Sequence, residues 1–168
     1  MQLTHDTSKF TPRTYPITVI CDGITNAPNI GSLFRTADAF GIEKLILCGN
    51  HIELGRKSAK TSRATEKYVS FEINNNSFET VSNYKAKGYQ IIALEITENS
   101  QPINQLHFKT NQPIALVIGA ENFGVSETIL ALADAVIHLE MYGKNSSMNV
   151  VQASSICLYE FTKQLNDT

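Results

Sequence analysis

NAPNIGSLFRTADAFG, residues 26–41, is the stretch whose reading decides the rest. Leu33, Phe34, Ala37 and Phe40 recur at helical spacing and offer one apolar face, so a helix is predicted over 29–40. Gly41 is a natural stop, because a residue without Cβ takes the left-handed conformation at little cost. Such a helix could pack without Asn26, Asn29 and Arg35, and those three polar residues need another explanation.

Outward from this segment, ITVICD (17–22) reads as a buried strand before it and KLILC (44–48) as the next strand after it. Further strands are predicted at 68–72, 89–96, 113–119 and 135–140. Helices are predicted at 77–88, where Asn76 and Glu79 resemble a capping box, and at 125–133 and 147–165. Strands alternating with helices imply an α/β fold, a mostly parallel sheet with helices on both faces. One domain is expected over residues 1–168, with 1–16 as a flexible N-terminal segment. In such sheets ligands bind beyond the carboxyl ends of the strands, so the loops there are where polar oddities count.

The composition, 42% hydrophobic and 18% charged, is that of a soluble globular protein. No apolar run is long enough to cross a bilayer and the first residues lack a signal-peptide core, so a cytoplasmic protein without membrane association is expected. Cys21, Cys48 and Cys157 form no C-x-x-C, and the four histidines stand at no metal-ligand spacing, so neither a disulfide framework nor a metal is expected. A net charge of -2 argues against a wholesale polyanion binder but leaves room for a local basic stripe. Arg56, Lys60, Arg63 and Lys67 fall at i, i+4, i+7 and i+11, one face if that segment is helical. Phosphate contact is one reading of them and a solvated helix face the other.

Three loops follow predicted strands. The first, DGITNAPNIG, lacks the G-x-G-x-x-G of dinucleotide binding, which disfavours a nicotinamide or flavin enzyme. The second, GAENFGVS (119–126), has the glycine spacing of a phosphate loop, but Val125 stands where that loop needs its lysine. The third, MYGKNSSMNVVQAS (141–154), enters the last helix, where Ser147 or Asn149 can serve the unpaired amides of its first turn.

Taken in order, these loops resemble the SPOUT superfamily of RNA methyltransferases, in particular the SpoU/TrmH class that acts on ribose 2′-hydroxyls. NAPNIGSLFRTA matches its N-x-x-N-x-G-x-x-x-R-T-A motif, GAENFG its G-x-E-x-x-G, and LEMYGKNSSMNV its I-P-M-x-G-x-x-x-S-L-N-V. The likeness runs over residues 17–165. It implies a C-terminal trefoil knot, a departure from the usual absence of knots. It also implies S-adenosylmethionine held in a bent form among the three loops, with Gly119, Leu139 and Met148 around the adenosine. Arg35, Asn29, Glu121, Ser147 and Asn149 match catalytic and substrate-side positions, and a homodimer completing the site across its interface is implied. Two departures stand out: Glu140 replaces the usual proline and Met148 the usual leucine.

No histidine or paired carboxylate lies among the motif residues, so a conventional general base is missing. A guanidinium stays protonated, and Arg35 is better read as forking onto a backbone phosphate, its geometry fixed by Asn29 and Glu121 while Asn149 holds the third loop. Val150, Ile156, Leu158, Tyr159 and Phe161 spread apolar surface around the last helix, more than one packing face needs, which also points to a second copy. TSRATEKYVSF and GVSETILALAD resemble the transfer-RNA branch of the class, with ribosomal RNA the alternative substrate. A catalytically silent RNA-binding module of the same fold is the alternative to an enzyme.

Overall fold

β1 (Tyr15–Asp22) lies in the interior of the sheet, where residues must be apolar on both faces. The computed structural model describes Ser8, residues 10–108 and residues 112–166. Ile17, Val19 and Cys21 enter one core and Ile20 enters another on the opposite face. β6 (Ile114–Gly119) splits the same way, with Ile114, Leu116 and Ile118 on one side and Ala115 and Val117 on the other. A strand covered on both faces needs this continuous apolar run, which is the mark of a parallel sheet flanked by helices.

Around β1 and β6 stand β2 (Ile42–Cys48), β3 (Phe71–Asn74), β4 (Gln90–Leu94), β5 (Gln101–Pro102) and β7 (Ala135–His138), in the order β3-β2-β1-β6-β4-β7-β5. Every pairing between these strands is parallel. α1 (Ala27–Ala39) and α5 (Val150–Asn166) supply residues to the first core, and α3 (Ser77–Ala86) and α4 (Glu127–Leu130) to the second. The α/β class expected from the alternation is the one observed.

α1 begins two residues before the predicted start, since the Asn26 side chain caps it by accepting from Asn29 N at 3.0 Å and Pro28 is tolerated in the first turn. It ends at Gly41, whose φ of +59° and close approach to the Arg13 carbonyl exclude a Cβ. α5 starts three residues later than predicted, because Asn149 accepts from Val151 N at 2.9 Å and so stands as its cap. β3 is shifted C-terminally from 68–72, and α4 is much shorter than 125–133. Of the expected flexible segment 1–16, residues 1–7 and 9 lie outside the described residues. Its last two belong to β1, and the buried Tyr15 donates its hydroxyl to Asn166 Oδ1 at 2.7 Å.

The basic stripe is where the sequence reading needs correction. α2 (Arg56–Ser62) stops short, and Arg63 and Ala64 take left-handed φ values of 51° and 68° before a single 3-10 turn at Thr65–Lys67. Arg56 and Lys60 share a helical face; Arg63 and Lys67 do not continue it. The cause is local. Ser58, Thr61, Ser62 and Thr65 each donate a hydroxyl to a carbonyl three residues back, in competition with the helical ladder. All four basic side chains are nevertheless exposed, and none is in an ion pair among the described residues.

Gly31 sets how close α2 lies to α1. A Cβ there would sit 2.2 Å from the Ser58 carbonyl oxygen and 2.0 Å from Thr61 Oγ1. Gly31→Ala gains about 1 kcal/mol in helix propensity but suffers overpacking of about 1–3 kcal/mol against a backbone that cannot retreat cheaply. Net destabilisation of about 1 kcal/mol is expected in urea unfolding. A variant as stable as the parent would contradict this packing.

Candidate active site

The three motifs meet at one carboxylate. Glu121 Oε1 accepts from Asn149 Nδ2 at 2.6 Å and from Asn29 Nδ2 at 3.1 Å, and Asn149 Nδ2 also reaches Asn29 Oδ1 at 3.3 Å. Asn29 comes from the first turn of α1, Glu121 from the loop after β6, and Asn149 from the cap of α5. Each is delivered by a backbone feature fixed elsewhere: the Asn26 cap, the end of a fully buried strand, and the bond from Val151 N.

Beside this clasp, at the carboxyl ends of β4, β6 and β7, opens a cavity of about 490 Å³. Gly119, Leu139 and Met148 all line it, as do Glu121 and Ser147. The loop after β6 is packed tightly there: a Cβ on Gly119 would lie 2.0 Å from the Gly124 carbonyl carbon, and Gly124 itself has φ +65°. Only glycine fits at either place. The ionisable residues lining the cavity are Glu95, Glu121, Glu127 and His138, with no lysine or arginine among the described residues. Such a rim suits a ligand carrying positive charge and repels a phosphate, in keeping with the missing lysine of the second loop.

Two carboxylates brace these loops and were not singled out in the sequence. Glu95, just past β4, accepts from Val125 N at 2.8 Å and from Ile96 N at 3.0 Å. Asp22, the last residue of β1, accepts from Ser126 N at 3.0 Å and from Ser77 Oγ at 2.6 Å. Their shared signal is an acidic residue at the end of a buried strand; their partners lie up to 104 residues away and leave no local trace. Ser100 Oγ and His138 Nδ1, 2.9 Å apart, tie the segment after β4 to the end of β7.

Arg35 is not part of the clasp. It stands exposed on α1, without a hydrogen bond or ion pair among the described residues, at a shallow hollow shared with Val151 and Ser155 of α5. Asn29 and Glu121 therefore hold Asn149 and not Arg35, contrary to the expectation from the motifs. Six residues after Asn29, Arg35 has turned to another side of the helix. The four basic residues of the α2 region lie outside the cavity lining.

In the third loop, Glu140 accepts from the Tyr142 hydroxyl at 3.2 Å, and that hydrogen bond together with the carboxylate charge raises the phenol above its ordinary pKa. Burial pushes the Cys21, Cys48 and Cys157 thiols up, which removes them as nucleophiles. Among the described residues no three His, Cys, Asp or Glu side chains gather as a metal site.

Removing the shared carboxylate should loosen the loops without unfolding the sheet. In Glu121→Ala, hydrogen exchange is expected to quicken roughly five- to tenfold at the Phe123, Gly124 and Val151 amides while β1 and β6 keep their protection. Unchanged exchange at all three amides would show that the clasp holds nothing.

Known proteins resemble the chain over most of its length. The chain is 34% identical over 149 residues to the tRNA (guanosine(18)-2'-O)-methyltransferase of Aquifex aeolicus, covering 87% of this chain and 68% of that enzyme. It is 27% identical over 150 residues to the enzyme of the same name from Escherichia coli, covering 88% of this chain and 63% of that one. Among solved structures, the A. aeolicus TrmH/SpoU tRNA modifying enzyme superposes with a TM-score of 0.82 at 29% identity, over 92% of this chain and 78% of that one. The SpoU methyltransferase AviRb from Streptomyces viridochromogenes, solved in complex with the cofactor AdoMet, superposes with a TM-score of 0.77 at 27% identity, over 98% and 66%. The profile of the SpoU rRNA Methylase family matches residues 16–159, most of the chain, and the chain belongs to that family.

Proposed function

We propose that this chain transfers the methyl group of S-adenosylmethionine to a ribose 2′-hydroxyl of RNA, with transfer RNA as substrate. The observation that carries the reading is the meeting of three motifs at Glu121, beside a cavity lined by Gly119, Leu139 and Met148 and free of lysine and arginine among the described residues. The donor fits it: it bears sulfonium and ammonium charge, has no phosphate, and matches a volume inside the range of roughly 300–1,000 Å³ usual for small-molecule sites.

When bound, S-adenosylmethionine supplies a methyl group activated by its sulfonium. Everything else falls to the chain. The backbone of Gly119 and Leu139 offers directed hydrogen bonds to an adenine edge, and Met148 and Ile118 supply apolar walls. The clasp keeps the second and third loops at one separation, and alignment of this kind accounts for much of the rate in a displacement that needs oxygen, carbon and sulfur in line. Ser147 lines the cavity mouth on the third loop and serves the substrate side. The Arg35 guanidinium forks onto a backbone phosphate and orients the ribose, and the hydroxyl proton leaves to phosphate or water.

Arg35 faces away from its own cavity, and this supports a homodimer. Tyr159 is 62% exposed and Ile156 45%, whereas Val150, Leu158 and Phe161 are buried in the chain's own core. Tyr159 stands one turn beyond Ser155, on the side of α5 that borders the Arg35 hollow. A two-fold contact through α1 and α5 would cover this face and carry Arg35 to the rim of the other copy's cavity. A C-terminal trefoil knot fits the same arrangement: α5 packs against α1, β6 and the 3-10 turn at Ile103–Gln105, and Gln164 Nε2 donates to the Leu106 carbonyl at 2.9 Å. Arg56, Lys60, Arg63 and Lys67 remain phosphate-binding residues, now as a bent patch and not one helical face. No helix among the described residues is long and apolar enough to cross a membrane, and the cytoplasm, where transfer RNA is found, is the matching compartment.

Labelled S-adenosylmethionine incubated with total small RNA should place label on transfer RNA as a 2′-O-methyl group. Arg35→Ala should lose at least a hundredfold in transfer with donor affinity unchanged. Label confined to ribosomal RNA would overturn the substrate; donor binding without label in any RNA would favour the silent module.

A further inference from the structure

The loop that carries Glu121 also carries Phe123, whose side chain is 89% exposed. It is no floppy tip. Phe123 N and Gly124 N both donate to the Ala120 carbonyl, at 3.2 and 2.7 Å, and Ala120 N donates to the Asp22 carbonyl at 3.1 Å. The Glu95 carboxylate fastens the next residue, Val125, and Gly124 is wedged against both Glu95 and Gly119. A large apolar ring therefore stands in water on a clamped turn, with no ring-to-ring contact among the described residues.

Two cavities share this turn as a wall. The first is the donor cavity. A second, of about 310 Å³, lies on the other side, lined by Asn26, Asn29, Glu121 and Phe123. Phe123 borders both, and the clasp carboxylate is common to them.

Resting on the methyl-transfer reading, we infer that Phe123 is a substrate-binding residue on which the base of the methylated nucleotide stacks, with that base in the second cavity. The ribose then lies over Glu121 with its 2′-hydroxyl toward the first cavity. A ribose on a flexible strand has no fixed register with the donor until a neighbouring group is held, and the base offers the largest surface for holding it. Every base has a π face, so a rigid ring grips it whatever its identity. With Asn26 Oδ1 engaged in the α1 cap and Asn29 in the clasp, Asn26 Nδ2 supplies a donor for the base edge.

The chain contains no tryptophan, which makes the test direct. Phe123→Trp keeps a π face at this position, and its emission should be quenched on addition of transfer RNA. Phe123→Leu keeps apolar bulk without the π face, and its KM for RNA should rise about tenfold with donor affinity unchanged. An active parent with unaltered RNA KM in Phe123→Leu would overturn the stacking role alone. So would an introduced indole that is not quenched at RNA concentrations saturating methyl transfer. A parent inactive on every RNA, with the donor bound, would overturn the methyl-transfer reading and the stacking role with it.

Discussion

A single carboxylate oxygen, Glu121 Oε1, receives the amides of Asn29 and Asn149 and so joins three loops from three distant parts of the chain. The sheet brings the loops near one another, since all strands are parallel and their carboxyl ends lie on one edge. Proximity alone leaves each loop free to drift by more than a displacement reaction tolerates. The clasp removes that freedom, and two of the loops it ties, those after β6 and before α5, supply much of the lining of the cavity it borders.

Behind the clasp the same device recurs with other carboxylates. Asp22 and Glu95, at the ends of β1 and β4, hold the amides of Ser126 and Val125. The loop after β6 is thus fastened twice just after Gly124, where a left-handed backbone and the close approach to Gly119 already exclude side chains. Stiffness of this kind lets a loop present exposed groups, Glu121 and Phe123, at fixed positions without burying them.

Much of this was legible in the sequence because it is written locally. The buried run in β1, the helical spacing of Leu33, Phe34 and Ala37, and the stop at Gly41 are all read from neighbours a few residues apart. The motif residues could be named because they resemble a known pattern, and Gly119, Leu139, Met148, Glu121 and Ser147 do line one cavity. What failed depended on competition or distance. Hydroxyls at Ser58, Thr61 and Ser62 turned the basic segment out of a helix that its charge spacing suggested. Asp22 and Glu95 drew no notice because their partners are remote, and the exposed position of Arg35 depends on how α1 is rotated against α5.

The proposed function separates the roles simply: the clasp and glycines would shape the donor cavity, while Arg35 and Phe123 would act on the RNA side. Calorimetric titration with S-adenosylhomocysteine tests the first half, and with it the account as a whole. The parent should bind one ligand per chain, and Glu121→Ala at least tenfold more weakly with its circular dichroism unchanged. Equal affinity in the two proteins would contradict the view that this one carboxylate holds the site together.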